Sequence, residues 1–222
     1  MLLFDLHMHS YYSFDSLNDP QEIARRALKN GLDGISITDH NVFCIDFQSL
    51  QEKYPDLIII PGTEVGTEAV GDILCYFIKS EITTKDALEV VHQVHEQGGI
   101  TVLAHPFHHG RTSWVYPDEL LKVLDAIETA NAHNTANFKQ AQELAKRLGK
   151  PQTGGSDAHL VSEIGNGITY VNLSKKEAMD KESLKKAILN NCTTKCLAAP
   201  FYSFYFSQGV KFLRKIKLIN QP

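Results

Sequence analysis

Cysteine is scarce in this chain and unpatterned. Cys44, Cys75, Cys192 and Cys196 form neither a CxxC pair nor a dense framework. A disulfide-stapled scaffold is thereby disfavoured, and unpaired structural thiols are expected. No histidine lies near Cys192 and Cys196 in sequence, so that pair is not counted as a zinc site. Long apolar runs are absent, which excludes a membrane span. Met1 is followed almost at once by a histidine pair, leaving no room for a cleavable leader, and a cytoplasmic protein is expected. Basic residues are not in excess: 22 Lys and Arg face 26 Asp and Glu, a formal net charge of −4. Nucleic acid is therefore possible but not favoured as a partner, because a broad positive surface is missing. No internal repeat is visible, and nothing fixes an oligomeric state.

What remains is an ordinary globular composition, 43% hydrophobic and 22% charged over 222 residues, suited to one core. Strand-like and helix-like segments alternate. Strands are expected at Leu2–Leu6, Gly34–Ile37, Leu57–Ile60, Ile73–Ile78, Ile100–Leu103, Ala126–Glu128 and Ile168–Val171. Helices are expected from Asp19-Pro20 to Asn30-Gly31, and at Phe47–Lys53, Thr84–Gln97, Pro117–Val123, Thr135–Leu148 and Lys181–Leu189. Pro61-Gly62 reads as a turn ahead of Glu64. This alternation implies a mainly parallel α/β sheet of seven or eight strands, and a distorted (β/α) barrel is the expected fold.

Residues 1–196 are read as the barrel and 197–222 as a tail that packs on it. The tail holds Phe201, Tyr202, Phe204, Tyr205 and Phe206, then a basic run with Lys211, Arg214, Lys215 and Lys217. The favoured expectation is that the aromatics cover the barrel while the cations stay solvated. The rival is a helix for a membrane surface or a partner.

Histidines cluster where strand-like runs end. His7-Met8-His9, Thr38-Asp39-His40, Ala104-His105-Pro106 and Ser156-Asp157-Ala158-His159 each follow such a run. Residues i and i+2 of an extended segment point to one side, so His7 with His9, and Asp157 with His159, can reach one ion. Asp15 and Glu64 stand in loops near the same rim, Glu64 as a candidate bridge. Asp39 suits the role of orienting a ligating imidazole. Among the other histidines, His95 is expected to be a satisfied packing residue and His92 to be exposed, and a site role for His133, between a strand and a helix N-terminus, is not favoured. His108, His109 and Arg111 are candidates to touch substrate, with Lys139 behind Arg111.

The ordered set HxH, TDH, GxE, AHP and GSDAH resembles the PHP family, named for polymerase and histidinol phosphatase, across residues 1–172. Asn137-Phe138-Lys139 and Glu163-Ile164-Gly165 resemble small stand-alone members of the family. The resemblance implies a distorted, TIM-like (β/α)7 barrel holding two or three divalent ions at the strand C-terminal rim. By motif, His7, His9, Glu64 and Asp157 would hold one ion, Glu64 and His105 a second, and Asp15, His40 and His159 a third. Two departures stand out. Relatives place the acidic ligand five residues after the second histidine, where this chain has Phe14 and then Asp15. Where they carry a further histidine after the glutamate, this chain has Asp72, which is the candidate to take its place as a metal ligand.

A mixed His and carboxylate shell suits manganese, zinc or iron. The expected activity is hydrolysis of a phosphate ester, of a small phosphorylated metabolite or nucleotide, by a hydroxide shared between two ions. The rival readings are an exonuclease on RNA or DNA ends, a metal-dependent amidohydrolase, and a metal-stabilised binding module of low turnover.

Overall fold

Nine strands in the order β7-β6-β5-β4-β3-β2-β1-β8-β9 wrap into a barrel-like sheet in the computed structural model, which describes residues 1–68, 70–108, 116–190 and 192–221. The strands are β1 (Leu2–Asp5), β2 (Gly34–Ile37), β3 (Ile58–Thr67), β4 (Gly71–Tyr76), β5 (Ile100–Leu103), β6 (Ala126–Asn131), β7 (Gln152–Gly155), β8 (Gly167–Val171) and β9 (Thr193–Cys196). The helices are α1 (Pro20–Lys29), α2 (Phe47–Lys53), α3 (Ala87–Glu96), α4 (Asp118–Val123), α5 (Phe138–Leu148), α6 (Lys175–Ala178), α7 (Lys181–Ile188) and α8 (Phe201–Lys215). The fold is α/β and barrel-shaped as expected, with nine strands rather than seven or eight. Only β4 and β8 run against the rest: β3–β4, β4–β5, β1–β8 and β8–β9 are antiparallel, and the other pairs are parallel.

Local chemistry sets the helix boundaries. Asp19 caps α1 by accepting from Gln21 and Glu22 N–H, and Pro20 occupies the first helical position. Asp86 caps α3 at Glu89 N–H, so that helix begins at Ala87 and not at Thr84. α5 ends at Gly149, whose φ of 62° is the left-handed stop. Residues Thr135–Asn137 ahead of α5 form a 3₁₀ turn rather than its first turn.

The Pro61-Gly62 step is not a turn. β3 runs straight through it, so Glu64 lies inside a strand. Pro61 is opposite Ile37, the last residue of β2, and beyond that point β3 pairs instead with β4. The missing proline N–H falls where one ladder hands over to the next, so it costs little.

Alternate residues divide between two faces. Phe4, Leu6, Ile60, Leu74, Tyr76 and Val102 pack together inside the barrel. Ile35, Ile37 and Ile59 face outward to Ile23, Ala24 and Leu50 of α1 and α2. Ile73, Cys75, Leu103 and Ile127 face outward to Val90, Val94 and Leu144 of α3 and α5. The single polar end of the buried Tyr76 is satisfied, its hydroxyl donating to Leu6 O at 2.8 Å.

The barrel closes where β7 meets β1 and β8. Thr169 Oγ1 bonds both Gly154 N and Gly154 O, at 2.7 and 2.9 Å. A Cβ on Gly155 would lie 2.3 Å from His7 Cβ, and one on Gly167 would lie 1.9 Å from Gly155 O. Two glycines thus permit the contact that brings the HxH and GSDAH segments together. Past the strands, His9 N–H donates to Ala158 O at 2.9 Å and Asp157 N–H to His7 O at 2.7 Å, extending the seam to the rim.

The tail departs from expectation in part. Phe201, Tyr202, Phe204 and Tyr205 are exposed and Phe206 is half-buried, while α8 buries Ser203, Ser207 and Val210. Lys215 and Lys217 stay solvated as expected, but the other two cations do the docking. Arg214 donates to Ser13 O, to Tyr11 O at 2.9 Å and to Ser16 O at 3.1 Å. Lys211 reaches Asp15. The surface beneath α8 is a loop rich in backbone carbonyls, so it selects donors over rings. Among the described residues no helix is long and apolar enough to cross a membrane.

Candidate metal centre

The strand ends bring the candidate ligands into one cluster. Ligand atoms of His7, Glu64 and His105 lie within 4.8 Å of one another, as do those of His7, His9 and Asp157, and those of His9, His40 and His159. Glu64 is central: its carboxylate is 3.4 Å from His7, 3.5 Å from His9, 2.8 Å from His40 and 3.0 Å from His105. Asp157 Oδ1 is 3.1 Å from His9 Nε2 and 3.5 Å from His7 Nε2. Asp15 Oδ2 joins His40 and His159 at 3.3 and 3.2 Å. Asp72 stands 4.0 Å from His105 Nε2, at the edge of the group.

The outer ring nitrogens settle which way the imidazoles present themselves. His7 Nδ1 is 3.0 Å from Glu128 Oε1, and His159 Nδ1 is 2.8 Å from Asp157 O. Both partners can only accept, so both Nδ1 atoms carry the proton and Nε2 is left for the cluster. His9 Nδ1 is 3.1 Å from Ser13 Oγ, whose own proton goes to Asp39 at 2.7 Å. Ser13 is therefore an acceptor toward His9, and its Nε2 also faces inward. Asp39 orients through Ser13 instead of touching an imidazole, and it also accepts from Ser10 N–H and Oγ–H at 2.6 and 2.5 Å.

Unpaired polar atoms mark the same spot. His7 Nε2 and Asp15 Oδ1 are buried without a hydrogen-bond partner, and Glu64 Oε2 has His40 Nδ1 at 2.8 Å but outside good hydrogen-bond geometry, a costly condition that a cation would relieve. The electrostatics agree. Burial opposes ionising Glu64 and Asp157, yet the surrounding histidines pull both carboxyls well below their usual range. Burial likewise opposes protonating His7, but Asp157, Glu128 and Glu64 hold its pKa well above normal. Burial, with His40 and His159 beside it, depresses His9 to about 3. The site is an anionic pocket that gathers positive charge, first as protons, and would gather it as metal ions.

Two backbone positions are strained to achieve this. His105 has φ 23° and Asp157 φ 55°, each held by a hydrogen bond: His105 N–H to Glu128 Oε2 at 2.8 Å and Asp157 N–H to His7 O. Such strain at non-glycine residues costs about 1–3 kcal/mol each and collects at functional sites.

The cluster opens into a cleft of about 410 Å³ lined by Asp15, His40, Asp72, His105, Asp157 and His159 on one side. His108 also lines it, its ring 5.1 Å from His105. Lys139 is exposed on α5 and is not among the lining residues. Arg111 and His109 lie outside the described residues. His133 lines the cleft, pairing with Glu163 Oε1 at 3.0 Å. His95 is satisfied as expected, pairing with Asp125 at 2.7 Å, but it is exposed and not packed.

Three contributors escaped the motif reading: Glu128, Lys211 and Asn131, whose Nδ2 donates to Glu128 at 3.0 Å and to Asp157 at 3.3 Å. Glu128 left one signal in the sequence, an acid in the middle of an otherwise uncharged strand, Ala-Ile-Glu-Thr-Ala-Asn.

The PHP domain profile matches residues 5–150, and the PHP-associated profile matches residues 134–191. The chain is 30% identical to the uncharacterized protein MJ0417 of Methanocaldococcus jannaschii, over 84% of this chain and 77% of that protein. In fold it is similar to a two-domain protein of Bacteroides vulgatus containing a predicted PHP-like metal-dependent phosphoesterase. There the TM-score is 0.74 at 22% identity over 88% of this chain, and the chain spans 65% of that protein's length. It is also similar to PsfC of Pseudomonas syringae, with a TM-score of 0.64 at 21% identity over 98% of this chain and 99% of that one. The chain belongs to the PHP domain family.

Proposed function

We propose that this protein is a divalent-metal-dependent hydrolase of phosphate esters, acting on a small phosphorylated molecule. One observation carries the reading: His7, His9 and His159 each have Nδ1 engaged by an acceptor, and their Nε2 atoms converge on the carboxylates of Glu64, Asp157 and Asp15. Imidazoles locked in that tautomer around buried, unpaired carboxylate oxygens fit metal ions better than any protein-only hydrogen-bond scheme. The donor set of nitrogens and oxygens suits manganese, zinc or iron.

His7, His9, Glu64 and Asp157 would hold one ion. Glu64 and His105, with Asp72 nearby, would hold a second, and Asp15, His40 and His159 a third. Ions bound there would supply Lewis-acid chemistry, activating water and neutralising charge on a phosphoryl group. The chain's own part is placement: Glu64 joins the subsites, Asp39 and Glu128 fix ring orientation, and His108 and His133 line the space where substrate would sit. The size of the cleft suits a small metabolite. Residues 1–196 are assigned to the barrel and 197–222 to a segment that packs against it. The bacterial neighbour described as containing a PHP-like metal-dependent phosphoesterase supports the reaction class.

The test is elemental analysis of protein purified without chelator, beside a phosphatase screen after repletion with manganese, zinc or iron. Wild type should retain two or three equivalents of metal and cleave phosphomonoesters or diesters, and His7→Ala/Asp157→Ala should lose both. Full repletion with no phosphate release from any substrate would overturn the reaction class.

A further inference from the structure

The C-terminal helix is outside the segments matched by the family profiles, yet it forms one wall of the cleft. Gln208 and Lys211 of α8 line it, with Pro200, Phe201 and Phe204 forming an apolar stretch beside them. Arg214 anchors the helix to the carbonyls of Tyr11, Ser13 and Ser16, in the same loop that carries Asp15. Lys211 is therefore held in place from below. Its Nζ is 3.3 Å from Asp15 Oδ2 and 4.9 Å above the centre of the Phe14 ring, which in turn stacks on His40 at 4.8 Å.

Asp15 already has two histidine partners, His40 and His159. With an ion drawn to that subsite, the carboxylate would be committed to it. The ammonium would then stand beside a dication in a partly buried cleft, where like charges repel strongly. That arrangement is stable when an anion lies between them. The anion must also fit beside the metal ligands on one side and the apolar stretch of α8 on the other.

Resting on the phosphoesterase reading, we propose that Lys211 is a substrate-binding residue that leaves Asp15 to grip a terminal phosphate, selecting phosphomonoesters over diesters. A monoester dianion offers a third unesterified oxygen for the ammonium, and a diester does not. The organic part of the substrate lies along Pro200, Phe201 and Phe204. The departure at position 14 fits this arrangement: an aromatic ring there supports the ammonium between its two partners.

Binding of inorganic phosphate to the metal-loaded protein, followed by calorimetry, reads the proposal without turnover. Lys211→Met removes the ammonium while keeping an unbranched apolar side chain, and should weaken phosphate binding by about tenfold or more, the loss of one charge-assisted hydrogen bond. Metal content should be unchanged. Lys211→Arg should recover part of the loss, and the exposed Lys215→Ala should bind as wild type does. In turnover, Lys211→Met should raise KM for a monoester with little change in kcat, and leave the matched diester nearly unaffected. Unchanged phosphate affinity and KM in Lys211→Met overturn the proposal, as does an equal loss on monoester and diester. A metal-loaded wild type that binds phosphate through Lys211 but cleaves nothing would overturn the phosphoesterase reading and leave the phosphate site standing.

Discussion

Replacing Glu128 by glutamine separates support of the fold from support of the metal. Glu128 is buried and accepts three hydrogen bonds: from His7 Nδ1 at 3.0 Å, His105 N–H at 2.8 Å and Asn131 Nδ2 at 3.0 Å. Truncation to alanine would leave all three donors unpaired, at about 1–3 kcal/mol each, a large share of a typical domain's stability of about 5–15 kcal/mol. Glutamine is gentler. Two donors converge on Oε2, so the amide oxygen should stay there and the NH2 should face His7. His7 Nδ1 must then accept, and its proton moves to Nε2, the atom that points at Glu64 and Asp157. An imidazole protonated there cannot ligate. Glu128→Gln should therefore cost only about 1–2 kcal/mol in a urea melt of the metal-free protein. Its metal affinity should fall by about 10–100-fold, the usual loss when an outer partner of a ligand is removed. Competition with a chromophoric chelator measures the affinity, and 15N spectra of the imidazoles report the tautomer directly. Wild-type affinity in Glu128→Gln, or a His7 that keeps its Nδ1 proton, would refute the reasoning.

Gly155→Ala forces a Cβ to within 2.3 Å of His7 Cβ and 2.6 Å of His7 N. It should lower stability by about 3 kcal/mol or more in thermal melts, the upper end of overpacking costs. Gly31→Ala is the control: its Cβ meets nothing within 4 Å, and only the φ of 74° is strained, so about 1–2 kcal/mol is expected; equal losses would mean the barrel seam is not tight. Chelation should lower the melting temperature, and repletion to about 100 times Kd should restore about 2.7 kcal/mol, an effect absent in Asp157→Ala; a melt indifferent to chelator would argue against a metal centre. Asp180 caps α7 through Ser183 N–H at 2.8 Å, and that bond, with one from the Ser183 side chain, holds its carboxyl below the usual value. Its contribution should be complete above the unfolded carboxyl's pKa of about 4 and fade as pH falls through the lower folded value, so the advantage over Asp180→Asn should shrink on acidification in urea melts. An advantage that grows would reverse the sign.

How much could be read from the sequence depended on how local the controlling physics was. HxH and DxH follow strand ends, and an i, i+2 pair on extended backbone shares a side whatever surrounds it. His7, His9, Asp157 and His159 were therefore legible early. Capping is equally local, which is why Asp19-Pro20 and Asn30-Gly31 marked helix ends. Pro61-Gly62 has the local propensity of a turn, and the change of partner that β3 makes at that step overrides it. β9 was missed for a similar reason: Thr-Thr-Lys-Cys has no apolar alternation, and it pairs because β8 offers it an edge. Glu128 is the clearest non-local case. Its neighbours are His7, His105 and Asn131, and only Asn131 is near it in sequence.

The α8 outcome follows from the surface it meets. An amphipathic helix is ordinarily oriented by burying its apolar stripe, and that rule assigned Phe201 to Phe206 to the barrel. The loop beneath, Tyr11 to Ser16, instead presents carbonyls at its surface, since its inward side chains are spent on the candidate metal centre: Ser13 on Asp39 and His9, Asp15 on His40 and His159. A surface of unpaired carbonyls is satisfied by N–H donors and not by rings. One guanidinium supplies several of those donors in a fixed plane, so Arg214 outcompetes the aromatics for the contact and turns Lys211 toward Asp15 as a consequence. The same loop thus determines both the third candidate subsite and the orientation of the helix that covers it. A change that frees those carbonyls, such as Arg214→Met, should loosen α8 and Asp15 together. Hydrogen exchange would show the two segments losing protection in step, whereas loss confined to α8 would mean that the loop holds its shape without the helix.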